Sequence, residues 1–260
     1  MRQSFVVTGT GRVRVTRFGS GAPIVLLPTN GHSWHEFHAL VDHFPDNELI
    51  IWDTPGQGDS DPTPPGISID GYTELLIEVM DQLGVEEAPI VGCSIGAFIA
   101  ACAAVRYPDR VSGVGLVELQ FRELGFWESE QMWSLVERMF SVPSQTMEQV
   151  EPRFVRPIDA AHLERWNIDR NKAGTRALLD VMWAIRSFDV APIVGDITQP
   201  VRAIFGSEGP TVASTENAQE WLPKHAQIDV VKDAGHFIAF DQPGELASLI
   251  KELAGAAGTP

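Results

Sequence analysis

Ala88-Pro89-Ile90-Val91-Gly92-Cys93-Ser94-Ile95-Gly96-Ala97-Phe98-Ile99-Ala100-Ala101-Cys102-Ala103-Ala104-Val105 carries no charge. The run reaches the minimum length of a membrane span, yet Pro89, Gly92, Ser94 and Gly96 interrupt its first half. A buried strand, a sharp turn and a buried helix of small residues account for it better. Gly92-Cys93-Ser94-Ile95-Gly96 fits the pattern Gly-x-Ser-x-Gly in the strand, turn, helix setting that this pattern requires. A serine on such a turn needs neighbours without bulky side chains, so that strand and helix can crowd together. Its hydroxyl then stands at the C-terminal edge of a sheet, with the Ile95 amide and the helix N-terminus beside any developing oxyanion.

Outward from this stretch, Arg12 to Arg17 alternates like a half-exposed strand, whereas Ile24 to Leu27, Leu49 to Trp52 and Pro89 to Val91 are continuous apolar runs. Runs of the second kind suit strands covered on both faces. Tyr72, Leu75, Leu76, Val79, Met80 and Leu83 recur at helical spacing, with Gly84 as the stop. Val111 to Val117, Val201 to Phe205 and Ile228 to Val231 read as further strands, and a last helix starts near Pro243. The expected fold is α/β: a mostly parallel sheet of about eight strands with helices on both faces. Residues 119–190 break the rhythm with helix-like segments rich in Trp and Met, and are read as a helical cap inserted in a core formed by residues 1–118 and 191–260.

The 260 residues are 44% apolar and 21% charged, the profile of an ordinary globular chain with one large core. A formal charge of -16 repels phosphate backbones and anionic headgroups, so neither nucleic acid nor a membrane surface is an expected partner. Cys93 and Cys102 fall on a strand end and a helix, too far apart for the roughly 7 Å reach of a disulfide. Reduced thiols and the lack of an apolar signal core near Met1 lead to a cytoplasmic expectation.

Three more segments accompany the serine turn: Ile24 to Thr29 followed by a loop, Asp53-Thr54-Pro55-Gly56-Gln57-Gly58-Asp59-Ser60, and Asp233-Ala234-Gly235-His236-Phe237. Together with Gly92 to Gly96 they resemble the α/β-hydrolase fold family over nearly the whole chain. The resemblance implies a nucleophile at Ser94 and a general base at His236. The family's usual acid after the penultimate strand is missing, because Gly206-Ser207-Glu208-Gly209 has glycine at that place. Glu208 is one residue off. Glu118, ending the strand Val111 to Val117, is the favoured acid, as in haloalkane dehalogenase-like members, with Glu208 kept as the alternative.

Pro28-Thr29-Asn30-Gly31-His32 stands where relatives often carry a His-Gly pair, so Asn30 would supply the second oxyanion amide and turn its side chain to the pocket. His32, His35 and His38 step off any single helical face, and no metal is expected. Trp34, His35 and Phe37 read as the start of an amphipathic helix. His32, Trp127, Trp183 and Phe237 are candidate substrate contacts. The resulting expectation is an enzyme without metal or organic cofactor, acting on a small-molecule substrate: a serine hydrolase of a fairly apolar ester, thioester, lactone or related carbonyl compound. Two other readings stand beside it. One is a cofactor-free ring-cleaving dioxygenase of a hydroxylated heteroaromatic of the 3-hydroxy-4-quinolone type, suggested by His32 and Gly209. The other is a non-catalytic binding protein on the same fold.

Overall fold

The apolar runs form the middle of one eight-stranded sheet in the computed structural model, which describes residues 1–257. In chain order the elements are β1 (Arg2–Thr8), β2 (Gly11–Gly19), β3 (Ala22–Leu27), β4 (Asn47–Trp52), α1 (Ile69–Leu83), β5 (Ala88–Cys93), α2 (Ile95–Arg106) and β6 (Val111–Val117). The helices α3 (Leu124–Glu128), α4 (Glu130–Phe140), α5 (Met147–Val150), α6 (Ala160–Arg186) and α7 (Val190–Gly195) follow without an intervening strand. The chain closes with β7 (Val201–Gly206), α8 (Thr215–Trp221), β8 (Gln227–Val231), α9 (Ile238–Asp241) and α10 (Pro243–Ala257). The sheet order is β1-β2-β4-β3-β5-β6-β7-β8, antiparallel across β1, β2 and β4 and parallel from there on.

Continuous apolar strands follow from helices on both faces. Val25, Leu27, Ile50, Trp52 and Ile90 pack with residues of α1 and α2, while Ile24, Leu26, Leu49, Ile51 and Val91 pack with Phe37, Leu40, Leu246 and Ile250 on the opposite face. Helix α1 starts where Ser68 accepts a hydrogen bond from the Gly71 amide and stops at Gly84, which takes the left-handed conformation (φ 70°). Helix α2 is buried along nearly its whole length, which explains the uncharged stretch. Among the described residues no helix is long and apolar enough to cross a membrane. Cys93 and Cys102 are buried free thiols.

Residues 34–43 form a 3-10 helix rather than the expected α-helix. Its buried residues Phe37 and Leu40 are three apart, the spacing that lines up on a three-residue turn. The helical segment after β6 shares its core with α2: Trp127, Val136, Phe140, Leu178 and Met182 join the cluster that holds Phe98. Within α6 the chain breaks helical geometry at Gly174 (φ 70°, ψ 165°).

The turn from β5 into α2 is the tightest point of the fold. A Cβ on Gly92 would lie 2.0 Å from the Gly96 carbonyl group, and one on Gly96 would lie 2.3 Å from the Leu27 carbonyl oxygen. Both obstacles are backbone. Gly92→Ala is therefore expected to lose about 3 kcal/mol or more of stability, or not to fold. Gly66→Ala, at a position with nothing within 4 Å and only a positive φ to strain it, should lose about 1 kcal/mol. Urea denaturation of both variants checks the contrast.

Candidate active site

Ser94 sits at the elbow with φ 54° and ψ -113°, a conformation that L residues rarely take. Its amide donates to the Val117 carbonyl (2.9 Å), tying the end of β5 to the end of β6. Ser94, Glu118 and His236 all line one cavity of about 370 Å³ at this sheet edge.

Glu118 follows β6, again with a positive φ of 54°. Its carboxylate is buried and fully engaged: Oε1 accepts from the Gly206 amide (2.7 Å), and Oε2 accepts from Thr211 Oγ1 (2.6 Å) and pairs with His236 Nδ1 (2.9 Å). An ionised carboxylate only accepts, so the proton of the neutral imidazole belongs on Nδ1, and Nε2 is left free to take one. A Cβ on Gly209 would lie 2.9 Å from both Glu118 oxygens. The glycine at the family's usual acid position thus makes room for a carboxylate arriving from the neighbouring strand. Glu208 is exposed, lines the same cavity and bonds Ser207 Oγ, while its amide donates to the Ala234 carbonyl. It is not joined to His236.

The histidine loop is clamped from below. Its Gly235 amide donates to Asp241 Oδ2 (2.8 Å), and Asp241 also accepts from the amides of Val155 (3.1 Å) and Arg156 (2.9 Å). The His236 amide donates to the Arg153 carbonyl (2.9 Å). One buried carboxylate therefore fixes the loop to the segment between α5 and α6.

Ile95 opens α2, so its amide lies in the first turn, where helical N–H groups have no partner within the helix. Asn30 lines the cavity too, but its side chain does not offer its polar atoms there as expected. Nδ2 donates to the Leu178 carbonyl (3.0 Å), and Oδ1 accepts from Gln57 Nε2 (2.7 Å). Gln57 in turn accepts from the Gly31 amide (2.6 Å). The loop is pinned between α6 and the Asp53 to Ser60 turn. Beneath it Glu36 accepts from the Thr29 amide (2.8 Å) and hydroxyl (2.9 Å), and burial pushes its pKa up to about 7.

Of the other candidate contacts, Trp127 lines the cavity, and its indole N–H is buried without a partner. Trp183 does not line it: half exposed at 50%, it packs against Trp133 and under Arg186. His32 and Phe237 are also drawn away from the lining, into an aromatic cluster with Trp166 and Phe154. Of the three early histidines, His35 and His38 pack on Trp34, whereas His32 packs on Trp166 and Phe237. His32 is buried with its pKa held well below the ordinary value by desolvation, and His35 is lowered to about 4 for the same reason. No cluster of three metal-ligating side chains occurs among the described residues. Sequence reading missed Gln57, Asp241 and Arg153; only Gln57 had a signal, its place inside the turn from Asp53 to Ser60.

The family profile of the alpha/beta hydrolase fold matches residues 22–243, and the chain belongs to that family. It is accordingly a hydrolase of the alpha/beta type. Among curated relatives it is 24% identical over 247 residues to the provisionally named carbamate hydrolase RutD of Cronobacter turicensis, covering 88% of this chain and 90% of that one. It is 25% identical over 264 residues to lipase LipV of Mycobacterium tuberculosis, covering 94% and 98%. Among solved structures, the esterase EaEST from Exiguobacterium antarcticum superposes with a TM-score of 0.84 at 19% identity, over 98% of this chain and 100% of that one.

The anchoring of the Asn30 loop gives a pH signature. Glu36 has a folded pKa of about 7 against an ordinary 4.5, so the folded state holds the proton more tightly than the unfolded chain. The stability this contributes is fully present below pH 4.5 and is lost as pH rises through 7. Relative to Glu36→Gln, wild type is expected to lose on the order of 2 kcal/mol between pH 5 and pH 8. Urea midpoints across that range measure the difference, and parallel curves would count against it.

Proposed function

We propose that this chain is a serine hydrolase that cleaves a small, fairly apolar ester, thioester, lactone or related carbonyl compound through an acyl-enzyme. The observation that carries the reading is the 2.9 Å pairing of His236 Nδ1 with buried Glu118 in the cavity that Ser94 also lines. Ser94 Oγ attacks the carbonyl carbon while its proton passes to His236 Nε2. Glu118 keeps the imidazole in the accepting tautomer and stabilises the imidazolium that forms. The amides of Ile95 and Asn30 receive the oxyanion. His236 then hands its proton to the leaving group, and water, activated by the same nitrogen, releases the acyl group from Ser94.

The cavity fits an apolar acyl or alkoxy group, since Phe98, Trp127, Met132, Met139, Met182 and Ile185 are among its walls. Five of these six residues come from the segment 119–190, which we read as the cap that sets substrate shape. Relatives named as a lipase, an esterase and an enol-lactonase fall in the same range of chemistry. The oxygenase reading would use the same His236 and Glu118 pair, but we favour the hydrolase because His32 is buried outside the cavity lining and Gly209 is accounted for by the Glu118 carboxylate. Two buried free thiols suit a reducing compartment, and the cytoplasm is our proposed location.

Incubation with a fluorophosphonate should add one adduct to wild type by intact mass and none to Ser94→Ala. Glu118→Gln should keep the fold and lower kcat by roughly 10³- to 10⁴-fold, as loss of the orienting carboxylate does in such triads. A folded wild type that takes no adduct would overturn the proposal.

A further inference from the structure

Arg153 lines the same cavity as Ser94 and His236, and its own carbonyl holds the His236 amide, so its place relative to the histidine is fixed. In a chain with 35 acidic residues against 19 basic ones, its guanidinium has no ion pair and no side-chain hydrogen bond among the described residues. It lies 5.5 Å over the Trp166 ring instead. Arg17 pairs with Glu48, and Arg202 with Asp229 and Glu252, whereas Arg186, like Arg153, lies over tryptophan rings without an ion pair among the described residues.

The charged and polar groups whose charges interact with it are Arg170 and His32. Arg170 is fully buried; its Nε and Nη2 donate to the carbonyls of Pro143 and Met139, and its Nη1 has no partner. His32 Nε2 is also buried without a partner. Burial lowers Arg153 to about 10 and Arg170 to about 10, and the charge of Arg153 lowers Arg170 and His32 further. Among the described residues none of the three is ion-paired with a carboxylate. The partly buried Arg153 has no counter-ion, and an incoming anion supplies one.

We infer that the substrate carries a carboxylate besides its scissile carbonyl, and that Arg153 is the residue that binds it. This rests on the hydrolase reading above. A carboxylate matches the planar two-pronged donor set of arginine. A phosphate dianion would meet stronger repulsion from Glu118 and Glu208, which line the same cavity. The substrate class is therefore a half-ester of a dicarboxylic acid, or a lactone or thioester bearing an acid group.

The test uses protection of Ser94 from fluorophosphonate labelling, with succinate, glutarate and adipate compared with butyrate and glutaramide. At least one dicarboxylate should protect wild type at a concentration roughly ten- to hundred-fold lower than butyrate or glutaramide requires. That advantage should vanish in Arg153→Gln and return in part in Arg153→Lys. Equal protection by acid and amide in wild type would overturn the inference while leaving the nucleophile in place, and so would an undiminished advantage in labelled Arg153→Gln. The wild-type comparison stands even if a variant fails to fold. Should wild type take no label, the hydrolase reading fails by itself. Thermal shift with the same acids then decides the site: a rise that depends on Arg153 supports it, and no rise overturns it.

Discussion

The absence of side chains at Gly92 and Gly96 lets α2 cross the sheet edge in direct backbone contact with β5 and β3, and the site depends on that approach. Because the helix starts so close to the strand, Ser94 has to take a positive φ, and its amide is brought onto the Val117 carbonyl. The same backbone step recurs along the edge. Among the described residues the three non-glycine ones with positive φ are Ser94, Glu118 and Asp233, each at or just past the C-terminal end of a parallel strand. Strain of this kind persists only where surrounding structure over-determines it. Here the sheet supplies that determination, which is why the reactive groups can be held without support from a ligand.

Glu118, the acid we propose, shows how one family geometry would accommodate a change of strand. Moving the carboxylate from the end of β7 to the end of β6 keeps it next to His236 only if β7 gives up volume. Gly206 supplies an amide to Oε1, and Gly209 leaves the space that Glu118 occupies. Thr211 then fills the remaining acceptor position on Oε2 beside the histidine. Three donors around one buried carboxylate offset much of the cost of removing it from water.

The strands and the serine elbow were legible because they rest on local rules: runs of apolar residues, the glycine stop after α1, and a motif whose spacing is imposed by backbone clearance. Glu118 was legible too, as a charged residue closing an apolar strand. Residues 34–43 misled because an amphipathic pattern does not separate α from 3-10 winding when only two positions need burial. Trp127 and Trp183 are alike as sequence, both tryptophans in helices, and only the packing of α3 and α6 on α2 puts one in the cavity and the other on the surface. The break at Gly174 resets the face of α6, so periodicity could not carry the assignment through it. Arg153 and Asp241 act through distant backbone amides and through a cavity formed by separate segments, and neither relation leaves a local trace.

Charge distribution fixes where an acidic substrate has to be recognised. With a formal charge of -16, the protein's long-range field opposes the approach of an anion, so capture cannot rely on steering. Screening confines that opposition to roughly 8 Å at physiological ionic strength. Inside the cavity the lining carries Glu118 and Glu208 beside Arg153, so an anion is favoured only where Arg153 itself can pair with it. Such an arrangement sacrifices association rate and places discrimination at short range, where the paired charge and the apolar wall act on the same bound molecule. It also sets the carboxylate subsite beside the histidine loop, since the Arg153 backbone that carries the guanidinium is the one that holds the His236 amide. On the proposed reading, recognition of the acid group and placement of His236 are thereby built on one residue.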